Sequence, residues 1–376
     1  MGFPLQSAEP ASLGLDPARL EKMCGVIAGH VAKGMHPGGQ VAVARHGKLA
    51  LFRGFGQACT APAPVATADD TLFLLYSNTK VVTACAVWTL VEDGAIRFGD
   101  RVADHLPGFE KHRKGDITLI QLLSHQAGFP GAVVPPDVWG DHDLLRRVVC
   151  DFVPEWPAGQ RLQYHPTAAH WVAGAMIEAV TGRDFRDYIR EKVIAPLGLD
   201  GELFVGLPEG EHRRAADMHE PDGAGGVRNR MPECSPPHRM AGVPGGGGYA
   251  TARAMAAFYQ MLVGGGRLGD ARIVSPRTIR FVTQNFTGER LDLASGMPMH
   301  RGLGPYVRGT TETVRGMGGL AHPATFGHGG AGSSYCWGDP DSGVSMSFLS
   351  NCRLAEEDHD LRMDVISNMV HASIMD

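Results

Sequence analysis

One serine in this chain, Ser77, is followed three residues later by a lysine, Lys80, a spacing typical of a serine nucleophile with its own base. The amphipathic stretch at residues 81–93 predicts a helix with Ser77 in its first turn and Lys80 on the same face. There the free N–H groups and the positive end of the helix dipole favour developing negative charge, and the amine can take the hydroxyl proton. The alternative is an ordinary N-cap serine with a lysine nearby by chance.

Tyr164 is the first candidate partner of Ser77. It lies in a loop just before a predicted helix at residues 167–181. A positive charge beside a phenol lowers its pKa, so a Tyr164 close to Lys80 could shuttle the serine proton. The local sequence is equally compatible with an ordinary residue of a helical lobe.

A glycine-rich segment at residues 325–332 is the second candidate, because it directly precedes a predicted strand. Small residues let a strand edge approach a substrate closely. One main-chain N–H of this segment, with that of Ser77, could form an oxyanion hole. The alternative is a simple glycine-rich turn into the strand.

These residues must be positioned by secondary-structure elements. The sequence predicts β-strands near both ends of the chain and α-helices in the middle. Asp16 and Pro17 predict the start of a first helix, and His46-Gly47 predicts a turn between two short β runs. Further helices are predicted at residues 117–125, 143–152, 184–194, 251–264 and 358–374, and further strands at 333–337 and 344–349. We therefore predict an α+β fold: an antiparallel sheet flanked by the N- and C-terminal helices, with an inserted mainly helical lobe.

This order divides the chain into an α/β sheet domain of residues 1–76 and 241–376 and a helical lobe of residues 77–240. The lobe starts with the nucleophile helix, so Ser77 should lie in the cleft between the two parts. A long irregular stretch at residues 206–248 predicts a lid, a binding loop or a disordered segment.

Composition excludes several classes of function. The chain has 376 residues and a net charge of -5, which gives no electrostatic case for nucleic acid binding. Seven scattered cysteines indicate buried free thiols in a reducing compartment. The N-terminus has no secretory signal pattern and no apolar run approaches membrane-spanning length. We expect a soluble cytoplasmic protein that acts on a small molecule; its oligomeric state is not indicated.

Other catalytic patterns are missing or weak. His219-Glu220 lacks the second histidine of a zinc protease motif, and His142 and His359, each flanked by acids, are typical of solvated surface. The sequence contains no Gly-x-Ser-x-Gly elbow and no Walker loop. We therefore expect no metal and no cofactor.

The order Ser77-x-x-Lys80, Tyr164 and His328-Gly329-Gly330 resembles the serine β-lactamase-like family, in particular class C β-lactamases and family VIII carboxylesterases. Similar segments run through nearly the whole chain, at residues 15–20, 36–39, 117–128, 181–183, 196–199 and 246–252. The resemblance implies that Ser77 is the nucleophile, that Lys80 and Tyr164 transfer its proton, and that the N–H groups of Ser77 and Ala331 form the oxyanion hole. It places residues 328–330 where such lactamases have Lys-Thr-Gly. We assign substrate binding to the following residues: His328, Gly329, Gly330, His165, Tyr76 and His125.

Two departures from the lactamase pattern favour an esterase. Lactamases of this kind read Tyr-x-Asn, whereas this chain has Pro166, which has no side-chain amide to hold a lactam or the lysine. The lysine of Lys-Thr-Gly is His328, which is largely neutral near pH 7 unless its environment shifts it. Both differences remove groups that would bind an anionic lactam, and neither changes the nucleophile or its base.

Three alternatives stay open: an amide or lactam hydrolase of the same fold, such as a β-lactamase or D-aminopeptidase, an acyltransferase, and a non-catalytic sensor that is only acylated. The segments that would select the substrate are residues 131–139, 206–248 and 291–301. Their methionines and tryptophan are compatible with an apolar pocket and equally with ordinary packing.

Overall fold

The structure is a computed structural model that describes residues 2–311 and 316–376. Its helices, numbered in chain order, are α1 (Pro17–Ala32), α2 (Thr79–Glu92), α3 (Leu119–Leu123), α4 (His142–Cys150), α5 (Ala168–Thr181), α6 (Phe185–Ile189), α7 (Met231–Cys234), α8 (Pro236–Ala241), α9 (Ala252–Val263), α10 (Pro276–Val282) and α11 (Glu356–His371). In the described ranges, no helix is both long and apolar enough to cross a membrane.

The strands are β1 (Gln6–Ser7), β2 (Gly38–Arg45), β3 (Lys48–Cys59), β4 (Val65–Ala66), β5 (Phe73–Leu74), β6 (Leu203–Val205), β7 (His219–Pro221), β8 (Val227–Asn229), β9 (Gly248–Ala250), β10 (Arg267–Leu268), β11 (Ala271–Arg272), β12 (Leu291–Asp292), β13 (Met297–Pro298), β14 (Tyr306–Val307), β15 (Phe326–Gly330), β16 (Ser334–Asp339) and β17 (Val344–Ser350). The main sheet has the order β1-β3-β2-β17-β16-β15-β14, with β4 paired to β3. All of its pairings are antiparallel except that of β1 with β3.

The predicted N-terminal helix and hairpin are confirmed. The Asp16 side chain accepts hydrogen bonds from the N–H groups of Ala18 and Arg19, and so caps α1. His46 and Gly47, between β2 and β3, both have positive φ, as the tight turns that match the twist of a hairpin require.

Two layers of helix cover the main sheet, and alternate residues of β2 point to different layers. Val41 and Val43 pack into the cluster formed with α1 and α11, as predicted for the first and last helices. Ala42 and Ala44 pack into the cluster that contains α9 and the helical part of the chain. The sequence did not predict that α9 covers the second face. The antiparallel sheet with its helical part confirms the predicted fold class, while the division at residues 76 and 241 stays a prediction.

Helix α2 differs from its prediction in one respect. Every side chain from Thr79 to Leu90 is buried, so α2 is a central helix and not an amphipathic one. Its polar side chains are satisfied internally: Thr83 Oγ1, for example, donates to the Pro244 carbonyl at 2.7 Å. The sequence pattern predicted one exposed face for α2, but neighbouring elements cover the face that carries Lys80, Thr83 and Thr89.

The irregular stretch at residues 206–248 is not a structureless loop. It contains the β7–β8 hairpin and the short helices α7 and α8. His219 at the start of the hairpin is tied to the main body, since its N–H donates to the Asn351 carbonyl at 2.9 Å. The hairpin thereby forms one wall of the cleft described next.

Candidate active site

Ser77 lies in a single 3₁₀ turn, Tyr76–Asn78, that leads directly into α2. The preceding residue, Tyr76, has φ 44°, a conformation that costs a non-glycine residue about 1–3 kcal/mol and is found at active sites. Asn78 Nδ2 donates to Ser334 Oγ at 2.9 Å, and that hydroxyl donates to the Leu75 carbonyl at 3.1 Å. The turn that carries the predicted nucleophile is thus fastened to β16.

Lys80 is fully buried, and its amine faces Ser77. Nζ lies 3.0 Å from Ser77 Oγ, 2.6 Å from the Pro166 carbonyl and 2.7 Å from the Gly245 carbonyl. Burial, and secondarily the positive charge of Arg301, hold the pKa of Lys80 well below its usual value. A neutral amine has two N–H groups for the two carbonyls and a lone pair left for the Ser77 proton, so this geometry suits a general base.

A second buried lysine gives an internal comparison. Lys114 Nζ donates to three main-chain carbonyls, those of Lys111, Cys150 and Phe152, at 2.7 to 2.9 Å. Burial lowers the pKa of Lys114 to about 8. Three acceptors satisfy all three protons of an ammonium, so Lys114 fits a structural role.

Pro166 takes part in the site through its main chain. From the sequence, the proline at this position predicts the loss of a group that holds the lysine, because proline has no side-chain amide. The structure shows that the Pro166 carbonyl holds Lys80 instead, at 2.6 Å. The departure therefore removes a possible substrate contact without releasing the base.

Tyr164 meets Ser77 as predicted, but its pKa moves in the opposite direction. Its hydroxyl donates to Ser77 Oγ at 2.7 Å, and Lys80 Nζ lies 5.0 Å from the centre of its ring. Burial is the largest cause of a raised pKa for this phenol, and the facing Tyr306 adds to it. The expected lowering by a lysine charge is wrong because the buried Lys80 does not favour its charged form. Burial thus favours the uncharged forms of both the phenol and the amine.

Most of the glycine-rich segment is strand β15, and its last residues, Ala331 and Gly332, lie in the turn that leads into β16, near the start of the predicted strand. Strand β15 pairs antiparallel with β16 and packs against the Ser77 turn. A Cβ atom on Gly330 would overlap the Leu75 carbonyl and Ser334 Oγ, so only glycine permits this close approach. The next residue, Ala331, has φ 28° and lines the same cleft as Ser77. The oxyanion hole formed by these two N–H groups stays a prediction, which this placement favours.

The cleft in front of Ser77 has a volume of about 820 Å³ and is more charged than the sequence indicated. Its ionic side chains include Glu220, Arg228, Arg230, Asp292, Arg301 and Arg353. Of the residues suggested for an apolar pocket, Met299 lines the cleft. Trp139 does not line it, and its ring stacks on that of Trp171 with 6.4 Å between the ring centres. The β7–β8 hairpin and residues 291–301 supply cleft walls, as expected, whereas residues 131–139 do not.

The residues predicted to bind substrate divide into two groups. His328, Gly329 and Gly330 line the cleft. His125 and His165 are 2% and 0% exposed and pack behind Tyr164, where the His165 N–H donates to His125 Nδ1 at 3.1 Å.

Burial lowers the pKa of His165 to about 4, so its imidazole stays neutral. The Tyr76 hydroxyl points away from Ser77 and donates to Glu233 Oε1 at 3.0 Å. This placement makes His125, His165 and Tyr76 supports of the site, and their predicted substrate contact is not favoured.

Arg301 and Asp292 are site residues that sequence reasoning did not single out. They form a buried ion pair, and the Arg301 guanidinium lies over the ring of Tyr164. The Asp292 carboxylate accepts the Tyr164 N–H at 3.3 Å. No spacing signal connects these residues to Ser77, since the contact exists only after residues 291–301 fold over the cleft.

One cluster outside the cleft has metal-ligating side chains. His142, Glu178 and Asp184 place their ligand atoms within 4.8 Å of one another. The Arg186 guanidinium donates to the Asp184 carboxylate and lies 3.1 Å from His142 Nε2. A cation is therefore already present in this cluster, which we interpret as a structural ion-pair network joining α4, α5 and α6.

Comparisons with known proteins show what the whole chain is similar to. A family model described as "Beta-lactamase" matches residues 25–367. The "Esterase/beta-lactamase LipL" of Mycobacterium tuberculosis is 27% identical over 312 residues, which cover 75% of this chain and 70% of that protein.

Two solved structures are similar over nearly their whole length. A penicillin-binding protein homologue from Caulobacter crescentus has a TM-score of 0.82 and 30% identity, and covers 96% of this chain and 99% of its own. A family VIII carboxylesterase has a TM-score of 0.81 and 27% identity, and the match covers 94% of this chain and 98% of the esterase chain.

Proposed function

We propose, from the premise that the chain belongs to the beta-lactamase family and is a serine hydrolase of that fold, that it cleaves carboxylic esters of small molecules through a Ser77 acyl-enzyme. One observation carries the proposal. The Ser77–Lys80–Tyr164 contacts are complete, while positions 166 and 328 lack the amide and the permanent cation that would grip a lactam. The esterase names among the compared proteins support it.

Acylation begins with proton transfer from Ser77 to the neutral Lys80 amine, 3.0 Å away. Ser77 Oγ then bonds to the ester carbonyl carbon, and the N–H groups of Ser77 and Ala331 receive the oxyanion. When the carbon–oxygen bond breaks, the Tyr164 phenol protonates the leaving alkoxide and becomes a tyrosinate beside the Lys80 ammonium. The high pKa of this phenol makes its anion a strong base for the next step.

Deacylation reverses these roles and needs no further base. The Tyr164 anion takes a proton from water, and the resulting hydroxide attacks the acyl carbon. Ser77 Oγ departs with the proton held by Lys80, which returns to its neutral form. One ester and one water give one acid and one alcohol, and each side chain ends as it started.

A matched substrate panel tests ester against amide cleavage. We expect p-nitrophenyl butyrate to be turned over with a kcat/KM at least about 100-fold above that of butyryl p-nitroanilide, a difference of about 2.7 kcal/mol in the barrier. A chromogenic cephalosporin and a D-alanyl-D-alanine peptide complete the panel.

Equal or faster amide, lactam or peptide cleavage would establish the amide hydrolase, which the penicillin-binding protein homologue and the esterase/β-lactamase relative keep as the second candidate. Ester products that appear only with an added alcohol acceptor would indicate a transferase. Stoichiometric acylation without turnover would indicate a sensor.

Tyr164→Phe separates proton transfer from binding. The variant keeps the ring and loses the hydroxyl that lies 2.7 Å from Ser77 Oγ, so the leaving alkoxide has no acid. We expect kcat for an alkyl ester to fall about 10²- to 10⁴-fold while KM changes little. Steady-state kinetics provides the measurement, and a change confined to KM would make Tyr164 a binding residue instead.

A further inference from the structure

The proposed reaction passes through a state in which Tyr164 is an anion and Lys80 a cation, and burial disfavours both charges. Burial already favours the resting amine, but it opposes the transient tyrosinate, which needs a neighbouring positive charge. A positive charge close to both groups acts on both of them. It opposes protonation of the amine before reaction, and it stabilises the phenolate during the reaction.

Arg301 is such a charge. It is 3% exposed, and its Cζ atom lies 5.0 Å from the centre of the Tyr164 ring and 4.7 Å from that of Tyr306. A guanidinium stays protonated throughout the physiological range. It also lines the cleft, so its field reaches the space where the ester reacts.

Asp292 holds this charge in place. The carboxylate is 1% exposed, pairs with Arg301, and accepts the N–H groups of Tyr164 at 3.3 Å and Ala294 at 2.9 Å. One carboxylate thus connects the guanidinium to the main chain of the tyrosine that it covers. The pair is a built feature of the site and not a surface contact.

The same tyrosine has no permanent cation at the position where the family resemblance places a lysine. His328 occupies that position, and its ring centre lies 6.1 Å from that of Tyr164. Arg301 approaches the ring more closely and belongs to a different element, the segment between β13 and β14.

We propose that Arg301 is a positioning residue that supplies, from this segment, the permanent positive charge that keeps Lys80 an amine and stabilises the Tyr164 anion. The inference rests on the acyl-enzyme chemistry proposed above. It adds a residue and an electrostatic role that the Ser77–Lys80–Tyr164 contacts do not include.

The other titratable groups that face Lys80 and Tyr164 are not permanent cations. They are His125, His165, His170, Asp292, Tyr306 and His328. Burial lowers the pKa values of His125, His165 and His170, which therefore remain neutral. Asp292 and Tyr306 oppose the effect of Arg301 on the pKa of Tyr164, whereas the hydrogen bond to Ser77 lowers that pKa as Arg301 does.

The experiment measures, between pH 5 and 10, the rate at which a p-nitrophenyl alkylphosphonate labels Ser77, in parallel with ester kcat. A cation beside an amine disfavours the ammonium, so loss of Arg301 raises the pKa of Lys80 and activity needs a higher pH. We expect Arg301→Met to move the acid limb of both profiles upward by about one pH unit, with roughly tenfold slower labelling at neutral pH. Arg301→Lys should restore the limb, and Asp292→Asn should move it downward.

Two controls separate charge from packing. Arg290→Met removes a neighbouring arginine that donates to Gln126 and Gly159 and does not line the cleft, and it should leave both profiles unchanged. Arg301→Met combined with Asp292→Asn removes the cation without leaving an unpaired carboxylate. Because the two charges act in opposite directions, the acid limb of the double variant should lie between those of Arg301→Met and Asp292→Asn. A double variant whose limb is as high as that of Arg301→Met, as lost packing would produce, overturns the proposal.

The proposed function and this inference fail in different ways. Phosphonate labelling without ester turnover in the wild type would refute the esterase, while the effect of Arg301 on labelling could still be measured. An unshifted acid limb in a folded Arg301→Met variant, or an upward shift in Asp292→Asn, would refute the role of Arg301 whatever the substrate is.

Discussion

Ser77→Ala is expected to lower kcat for a chromogenic short-chain ester by on the order of 10⁴- to 10⁶-fold. The substitution removes the one oxygen that contacts both Lys80 at 3.0 Å and Tyr164 at 2.7 Å. Without that oxygen no acyl-enzyme can form, and the remaining groups only polarise the substrate. Steady-state kinetics and mass spectrometry of the phosphonate-treated protein measure the loss of turnover and of the covalent adduct.

The fold should survive this change. The 3₁₀ turn is held by Asn78, Ser334 and the Leu75 carbonyl, none of which depends on Ser77 Oγ. We expect the urea midpoint to stay close to that of the wild type, and Ser12→Ala, at an exposed turn, to keep full activity. A Ser77→Ala protein that is folded and retains most of its activity would show that another residue is the nucleophile.

Lys80→Met is expected to lower kcat about 10²- to 10⁴-fold and to slow phosphonate labelling of Ser77 to a similar extent. Methionine matches the length and burial of the lysine side chain but has no lone pair that can take the Ser77 proton. The variant also leaves the Pro166 and Gly245 carbonyls without their donor, at a cost of about 1–3 kcal/mol each. Stability and reactivity must therefore be measured separately.

Lys114→Met is the matched control. This lysine is equally buried and holds three carbonyls, but it does not line the cleft that contains Ser77. The Lys114→Met variant should lose about as much stability as Lys80→Met, while its labelling rate per folded molecule stays at the wild-type level. If both variants lose labelling equally, buried lysines act here through the fold, and the assignment of Lys80 as base is wrong.

The elements with clear local signals were predictable. The cap and proline that begin α1, the positive-φ turn between β2 and β3, and the periodicity of α5 and α11 each depend on residues close in sequence. The burial of α2 on all sides and the position of α9 on the second sheet face were not predictable. Both depend on which distant elements cover a helix, and short-range patterns contain no information on this.

The site residues also divide into those that the sequence could predict and those that it could not. Ser77 and Lys80 are three residues apart, so the helical geometry alone brings them together. Tyr164 and residues 328–330 were found through their order along the chain, as parts of a family pattern. Arg301 and the carbonyl of Pro166 escaped notice, since an isolated arginine and a main-chain oxygen have no sequence signature.

The amino-acid sequence by itself therefore determined the fold class, the three-residue spacing between Ser77 and Lys80, and the residues at positions 166 and 328, which lack an amide and a permanent cation. Only the tertiary structure decided the burial of Lys80 and Tyr164 and the charges around them. A pKa depends on burial and on charges within a few ångströms, which come from residues far apart in the chain. Burial accordingly lowers the pKa of Lys80 and raises that of Tyr164, and Arg301, distant in the chain, lies over the Tyr164 ring.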